Sequence, residues 1–286
     1  MTCALSACLA VVAVPNTVTA GNEANFVLYN HHVEERGETE VNLFSDFARV
    51  GGDEEDYVAQ LLEIEHGITD LWTAALYLEG VKLEDEDYAF GSFRFENRVR
   101  LFREETLLNP VLYAEYALKE PESRYIHSVA GRTDTEEEEE EEETEHELET
   151  RLILGHDFRR LNVAFNWVNE VNLETGVWEF GYAAGLNWLV YQVPGKEEEH
   201  EEAAHSMRAP SSWDLEKLTL GVEFYGGLGD SELGLTLDPH VTQQYSGINL
   251  RADLENHLHF IVGGAFGLTR DSEGALLRLS AGYEFE

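Results

Sequence analysis

Nine residues, Phe93-Arg94-Phe95-Glu96-Asn97-Arg98-Val99-Arg100-Leu101, restrict this chain more than any other stretch. Along a β-strand, successive side chains point to opposite faces. Phe93, Phe95, Asn97, Val99 and Leu101 then share one face, and Arg94, Glu96, Arg98 and Arg100 share the other. A half-buried strand of a soluble protein also alternates. Here, however, four consecutive charges oppose a mostly apolar face over a length that crosses a bilayer. A transmembrane β-strand needs roughly 9–11 residues, apolar toward lipid and polar toward the lumen.

The pattern recurs along the chain. From Glu40, Val41, Leu43 and Phe47 share a face with Ser45. Val58, Leu62 and Ile64 share one with Gln60 and His66, opposite Glu63 and Glu65. Gly67 to Asp70 reads as a tight turn. Trp72, Ala74, Leu76 and Leu78 then oppose Thr73, Ala75, Tyr77 and Glu79. Leu112, Ala114 and Tyr116 oppose Tyr113, Glu115 and Ala117. Leu148, Leu152 and Leu154 oppose Glu147, Glu149 and Arg151. Leu161, Val163, Phe165 and Trp167 form a further apolar face. Trp178, Phe180, Tyr182, Ala184, Leu186 and Trp188 form the clearest one, with aromatic residues at both ends, as expected at membrane interfaces. Leu218 to Phe224 oppose Thr219 to Tyr225, and Gly226 to Pro239 reads as a loop. His240 to Leu250 is a weaker strand with polar residues on both faces. Leu258 to Phe266 and Leu277 to Phe285 complete the set. About twelve strands follow from Glu40 onward, an even number, as single-chain outer-membrane barrels have. The spacing predicts an all-β fold, an antiparallel transmembrane β-barrel of about 12 strands.

Residues 1–20 read as a signal peptide, with an apolar run from Ala4 to Val14 and small residues before a cleavage point after Ala20. Residues 21–39 form a lead-in, in which Asn25 to Val33 is a short strand or merely extended. Residues 40–286 are the barrel. Two insertions interrupt it: an acidic loop at 120–145, containing the unbroken run Glu136 to Glu143, and a polar insertion at 192–213. Such an acidic run repels itself and is expected to be a disordered, solvated loop. With periplasmic termini, the acidic loop falls outside the cell. The 192–213 insertion then falls on the periplasmic side, where turns are usually short.

The net charge of −38, from 57 Asp and Glu against 19 Lys and Arg, excludes nucleic acid as a partner, since phosphate contact needs a basic footprint. The 6 prolines leave strand interiors uninterrupted. Cys3 and Cys8 both lie in the signal segment, so the mature chain offers neither a disulfide framework nor a thiolate metal site.

Glu63-Ile64-Glu65-His66-Gly67-Ile68-Thr69-Asp70-Leu71-Trp72 resembles the strand–turn–strand signature of a family of Gram-negative outer-membrane barrels. These are grouped with the transporter of the phenol meta-degradation pathway. Asn109 to Tyr116 and the ending Ala281-Gly282-Tyr283-Glu284-Phe285 are similar to it as well. The resemblance runs from about Glu40 to the C-terminus. It implies a cell outer-membrane location, a transport role and no catalytic residues. It also implies partners in outer-membrane lipid, lipopolysaccharide and the barrel-assembly machinery, which reads a terminal aromatic; this chain departs from that pattern in that Glu286 follows Phe285.

Sites of chemistry are sparse. His200 and His205 are five apart and do not share a helical face as a zinc-protease motif requires. His31-His32, and His257 with His259, each offer two metal donors without an identifiable third, so no metal site is expected. No serine has a convincing His and Asn or Asp arrangement, and the glycines near Gly226–Gly229 and Gly263-Gly264 lack phosphate-loop spacing. No cofactor is implied, and the chain does not read as an enzyme. The remaining constellation is the polar face: Glu63, Glu65, Glu79, Arg94, Glu96, Arg98, Arg100, Glu115, Arg151, Glu179, Glu223, Arg278 and Glu284. These residues either line a charge-selective pore or form a Glu/Arg network that fills a narrow lumen. Small residues such as Gly181, Ala183, Gly263 and Ala265 leave room for a passage. The expected function is a passive channel for small solutes with a mild cation preference. The alternatives are a non-conducting structural or adhesive barrel and a soluble periplasmic ligand-binding barrel with its apolar face inward.

Overall fold

The computed structural model describes residues 24–49, 56–83, 87–124, 130–131, 144–193, 213–270, 272 and 274–285. The signal segment, the Glu136–Glu143 run and the His200–His205 pair lie outside the described residues. Thirteen strands follow in order: β1 (Thr39–Arg49), β2 (Tyr57–Thr69), β3 (Trp72–Leu83), β4 (Ala89–Arg100), β5 (Val111–Lys119), β6 (Glu145–Phe158), β7 (Leu161–Asn172), β8 (Trp178–Gln192), β9 (Leu215–Asp230), β10 (Gly234–Leu235), β11 (Gln244–Leu254), β12 (Leu258–Gly267) and β13 (Ala275–Phe285).

Every neighbouring pair is antiparallel, and β13 pairs with β1 from Thr39↔Phe285 to Arg49↔Ala275. The sheet therefore closes on itself and leaves no edge with unpaired backbone groups, a requirement for any sheet in hydrocarbon. The two residues of β10 only fold back onto the end of β9. Twelve long staves make the wall.

The opening pattern now has a direction. On β4, Phe95 is 42% exposed while Arg94 is 1% and Glu96 0% exposed. Leu43, Ile64, Leu76, Leu112, Leu152, Phe165, Leu186, Phe224, Ile248, Val262 and Leu279 likewise point outward from their staves. They form an apolar belt around the wall. Water-soluble monomers rarely expose contiguous apolar patches beyond a few hundred Å², so the belt needs a non-aqueous surround. A soluble barrel with its apolar face inward is the inverse of this arrangement.

The two rims differ. One carries the start of β1, the end of β13, the tight turns at Asp70–Leu71 and Arg159–Arg160, the 101–110 connection and both ends of the 192–213 insertion. The opposite rim carries the ends of the acidic loop, between Lys119 and Glu145. Both ends of the long polar insertion thus share the rim with the start of β1 and the end of β13, as the sequence spacing requires, and no further strand is found near them among the described residues.

Three boundaries differ from expectation. The turn expected at Gly67–Asp70 is shorter, because β2 continues to Thr69 through an irregularity after Gly67. The weak strand expected at His240 begins instead at Gln244 and runs to Leu254. Its polarity on one face is explained by Asn249 and Arg251 pointing inward while Ile248 and Leu250 point out. The glycines at 226–229 are not in a loop but continue β9 to Asp230.

The face assignment predicts a labelling result. Cysteine placed at Leu76, with a nitroxide attached, will be broadened by a lipid-soluble relaxant such as oxygen. The same label at neighbouring Ala75, which is buried inside, will be shielded from it. Equal broadening at both positions would reject the wall's orientation.

Candidate functional site

The lumen is occupied. Residues 24–38 precede β1, join no strand of the sheet, and run inside the barrel from mid-wall to the rim that carries the termini. Phe26, Val27 and Leu28 are fully enclosed, packed with Ala164, Ala183, Tyr225, Tyr245 and Ala265 of the inner wall. A buried backbone must find hydrogen-bond partners, and here the wall's side chains supply them. Glu223 accepts from three successive amides, Phe26 N at 2.6 Å, Val27 N at 3.1 Å and Leu28 N at 3.1 Å. Asn166 acts as a neighbouring strand would, accepting from Tyr29 N and donating to Tyr29 O, both at 2.8 Å. Arg151 donates to Val27 O at 2.8 Å. Thr73 Oγ1 accepts from Glu34 N at 2.9 Å. At the rim, Gly37 and Gly67 join the segment to β2 by backbone hydrogen bonds.

The side chains of the lead-in are held as closely. The Tyr29 hydroxyl donates to Glu96 at 3.0 Å, and its ring lies under the guanidinium groups of Arg98 and Arg151, at 5.1 and 4.9 Å from the ring centre. Arg278 sits 4.7 Å from the Phe26 ring centre. Cation–π contacts of this kind gain strength when desolvated. The space that Ala183, Gly263 and Ala265 leave is therefore filled by the lead-in rather than open. A Cβ on Gly263 would come within 3.0 Å of the Phe26 ring and closer still to Asn249.

Of the residues singled out on the polar face, Glu63, Glu65, Glu79, Arg94, Glu96, Arg98, Glu115, Arg151, Glu223 and Arg278 are buried on the inner wall. Arg100, Glu179 and Glu284 are half-buried. Their partners are specific. Arg94 pairs with Glu115 at 3.1 Å. Arg98 bridges Glu96, at 2.8 Å, and Glu65. Tyr77 donates to Glu96 at 2.7 Å. Arg151 meets Glu149 on its own stave. Arg278 holds Asp46 through both carboxylate oxygens, at 2.7 and 2.6 Å. Arg100 reaches outward to Glu105 on the rim connection. Glu79 accepts from Ser92 and Ser123, both at 2.6 Å, and Glu63 accepts from Asn42 at 2.8 Å.

The network also uses residues that reading by charge missed. Glu40, Asn42, Asp46, Asn166, Asn249 and Arg251 are all buried inward. Asn249 donates to Glu223 at 2.8 Å, fixing the carboxylate that receives the lead-in. Each stands one or two places from an outward apolar residue in its stave, so alternation alone would have found them.

A residual cavity remains beside the lead-in, lined by Glu34, Glu40, Glu63, Glu65, Arg98, Arg251 and Arg278, among others. Burial, reinforced by Glu40 and Glu38, pushes the Glu34 carboxyl up to about 9, so it is neutral near pH 7. Burial and His32 lower His31 to about 4, so its imidazole is neutral too. The lead-in also carries His31 and His32 to Asp157 at the end of β6, where one ligand atom of each lies within 4.8 Å of the others. His257 and His259 do not form a pair. His257 sits at the turn with φ of 65°, whereas His259 is buried and bonds Asn42 at 2.6 Å.

Comparison with solved structures places this geometry among known barrels. The outer membrane channel of Pseudomonas putida F1 superposes with a TM-score of 0.53 at 11% identity, covering 89% of this chain and 98% of that one. The KdgM porin, solved in complex with disordered oligogalacturonate, gives 0.49 at 8% identity, covering 86% and 99%. Omp33 of Acinetobacter baumannii gives 0.42 at 9% identity, covering 87% and 98%. No protein-family model matches the chain, and no curated protein matches it. By the first of these likenesses, the fold is a closed antiparallel twelve-stave β-barrel of the outer-membrane type.

Proposed function

We propose that the protein is a narrow outer-membrane channel for small solutes whose bore is set by its own N-terminal lead-in. The observation that carries this reading is the combination of an apolar outer belt with a charged inner wall from which the lead-in leaves a polar cavity unfilled. The Pseudomonas putida F1 structure that shares the fold is an outer membrane channel, which supports the same reading. So does the resemblance of Glu63–Trp72 to the barrels grouped with the phenol meta-degradation transporter. In this reading the outer wall meets membrane lipid and, on the rim of the acidic loop, lipopolysaccharide, while the barrel-assembly machinery inserts the chain. Glu63, Glu65, Glu96, Arg98, Arg278 and their neighbours act as the electrostatic lining, and no residue carries out a covalent step. Arg98, Arg251 and Arg278 each have a carboxylate partner, and Arg251 also reaches Glu40 at 3.5 Å. Glu63 takes the amide of Asn42 instead of a guanidinium, and a carboxylate held in that way favours cations.

A second reading has its own support. The lead-in packs the lumen as a core is packed, which suits a non-conducting structural barrel. Planar-bilayer recording separates the two. Wild-type protein is expected to conduct weakly, and a Glu223→Ala variant several-fold more. Hydrogen bonds to a charged acceptor contribute about 1.5–3 kcal/mol each, and this substitution removes three from the lead-in. A companion variant lacking residues 24–36, checked for folding by heat-modifiable electrophoretic mobility, is expected to conduct most. If that folded variant stays closed, the structural barrel is the correct reading. Recovery of the protein in the detergent-free soluble fraction would overturn both.

Selectivity supplies a further prediction. Under a KCl gradient, the reversal potential of the wild-type channel will have the sign of cation preference. Glu63→Gln will reduce it, since it removes a lining charge while keeping the volume. Anion preference in the wild type would contradict the electrostatic argument.

A further inference from the structure

Where the lead-in reaches the rim that carries the start of β1, it brings together a group of ligands that no single stretch of sequence contains. His31 Nε2 lies 3.7 Å from Asp157 Oδ2, and His32 Nε2 lies 3.0 Å from the same oxygen. Glu105 Oε2, from the connection between β4 and β5, lies 3.6 Å from His31 Nε2. We propose that His31, His32 and Asp157 form a binding site for one divalent transition-metal ion, with Zn²⁺ chemistry, which clamps the lead-in to the rim; Glu105 stands beside it, outside the three whose ligand atoms converge.

Four bonds of about 2.0–2.1 Å in tetrahedral array place ligand atoms about 3.3 Å apart. The separations of 3.0 and 3.7 Å from Asp157 to the two imidazoles bracket that value. Two imidazoles with one carboxylate, the fourth position left to water, are a donor set suited to zinc and its neighbours rather than to calcium or magnesium, which take oxygen ligands. An independent observation points to a ligand. The His31 side chain is completely enclosed, and its Nε2 atom faces the cluster with no hydrogen-bond partner. A buried polar atom in that state is unusual and calls for an occupant. His32 Nε2 is likewise buried without a hydrogen-bond partner.

The surroundings hold the ligands in place. Asn162 Nδ2 donates to Asp157 Oδ1 at 2.7 Å, which leaves Oδ2 turned toward the two imidazoles. Outer contacts of this kind orient metal-binding carboxylates. Asn109 Nδ2 donates to Glu105 Oε2 at 2.6 Å, and Arg100 is occupied by the same carboxylate. The Asn30 side chain accepts from His32 N at 2.7 Å and shapes the bend that lets adjacent histidines, with ring centres 4.2 Å apart, converge. Gly155 is required by the close approach of His31, because a Cβ there would lie 2.6 Å from Nδ1.

The test uses the detergent-purified full mature chain, stripped with chelator and titrated with Co²⁺ in excess Ca²⁺. The excess Ca²⁺ competes for sites made of carboxylates alone. One Co²⁺ per chain is expected, with the intense visible bands of tetrahedral coordination, displaced by Zn²⁺. His32→Gln and Asp157→Asn are each expected to weaken binding at least ~10-fold, since loss of even an outer-shell partner costs about 10–100-fold. His257→Gln, at a different turn, is expected to leave it unchanged. Heat-modifiable mobility confirms that every variant is folded. Absence of stoichiometric Co²⁺ binding, octahedral spectra, or equal affinity in folded His32→Gln and Asp157→Asn would overturn the site. Because the readout is binding and not conductance, it is decided whether or not the barrel conducts.

Discussion

Ionised side chains enclosed in a barrel must be paired, and that single constraint organises this molecule. An uncompensated charge in a low-dielectric interior costs several kcal/mol even after relaxation. The inner wall therefore works as a set of matched groups: Arg94 with Glu115, Arg98 with Glu65 and Glu96, Arg278 with Asp46. Two of these pairs join neighbouring staves, Arg94–Glu115 between β4 and β5 and Arg278–Asp46 between β13 and β1, while Arg98 pairs within β4 and reaches past β3 to β2. They hold register as well as neutralising charge. A one-residue slip of any stave would turn its charges into the apolar belt and its apolar residues into the lumen.

The lead-in belongs to the same logic. Twelve staves enclose a lumen between that of small barrels, which side chains fill, and that of open porins. One extended segment of backbone occupies part of that space. That segment brings its own polar groups, and wall residues satisfy them: Glu223 takes three amides, and Asn166 takes a donor and an acceptor. The contacts are directed mainly at backbone. The position of the segment therefore depends more on the wall than on the identity of residues 25–29, apart from the rings of Phe26 and Tyr29.

Much of the wall was legible in the sequence, because its signal is local. A period of two, repeated with charges on one side, determines strand, face and approximate number. Where one side carries few charges the signal weakens, and β11 was displaced for that reason: Asn249 and Arg251 are inward but are separated by Leu250 and flanked by Gly247. The lumen's contents were much less legible. Residues 25–33 show no alternation that distinguishes a stave from an internal filler, since a segment enclosed on all sides needs none. Which charges pair was not legible either: Arg98 of β4 reaches past β3 to Glu65 of β2, while Arg94 turns to Glu115 of the neighbouring β5. His31 and His32 were visible as donors, but their third partner, Asp157, is 125 positions further along the chain, and only the closure of the barrel brings it near.

The two ends of the lead-in are held by different chemistry, and this bears on how a filled lumen can still serve a channel. At mid-wall the hold is distributed among several hydrogen bonds to one carboxylate and one amide, supported by enclosed apolar packing. Releasing it exposes Phe26, Val27 and Leu28 together, so displacement there is cooperative and costly. At the rim the hold is concentrated in His31, His32 and Asp157, close to where Gly37 and Gly67 join the segment to β2. A channel does not need the mid-wall hold to fail. The cavity lined by Glu40, Glu63, Arg98 and Arg251 lies to one side of the segment, so movements of the rim portion alone alter its width. The geometry favours graded constriction beside a retained filler over wholesale ejection of a plug.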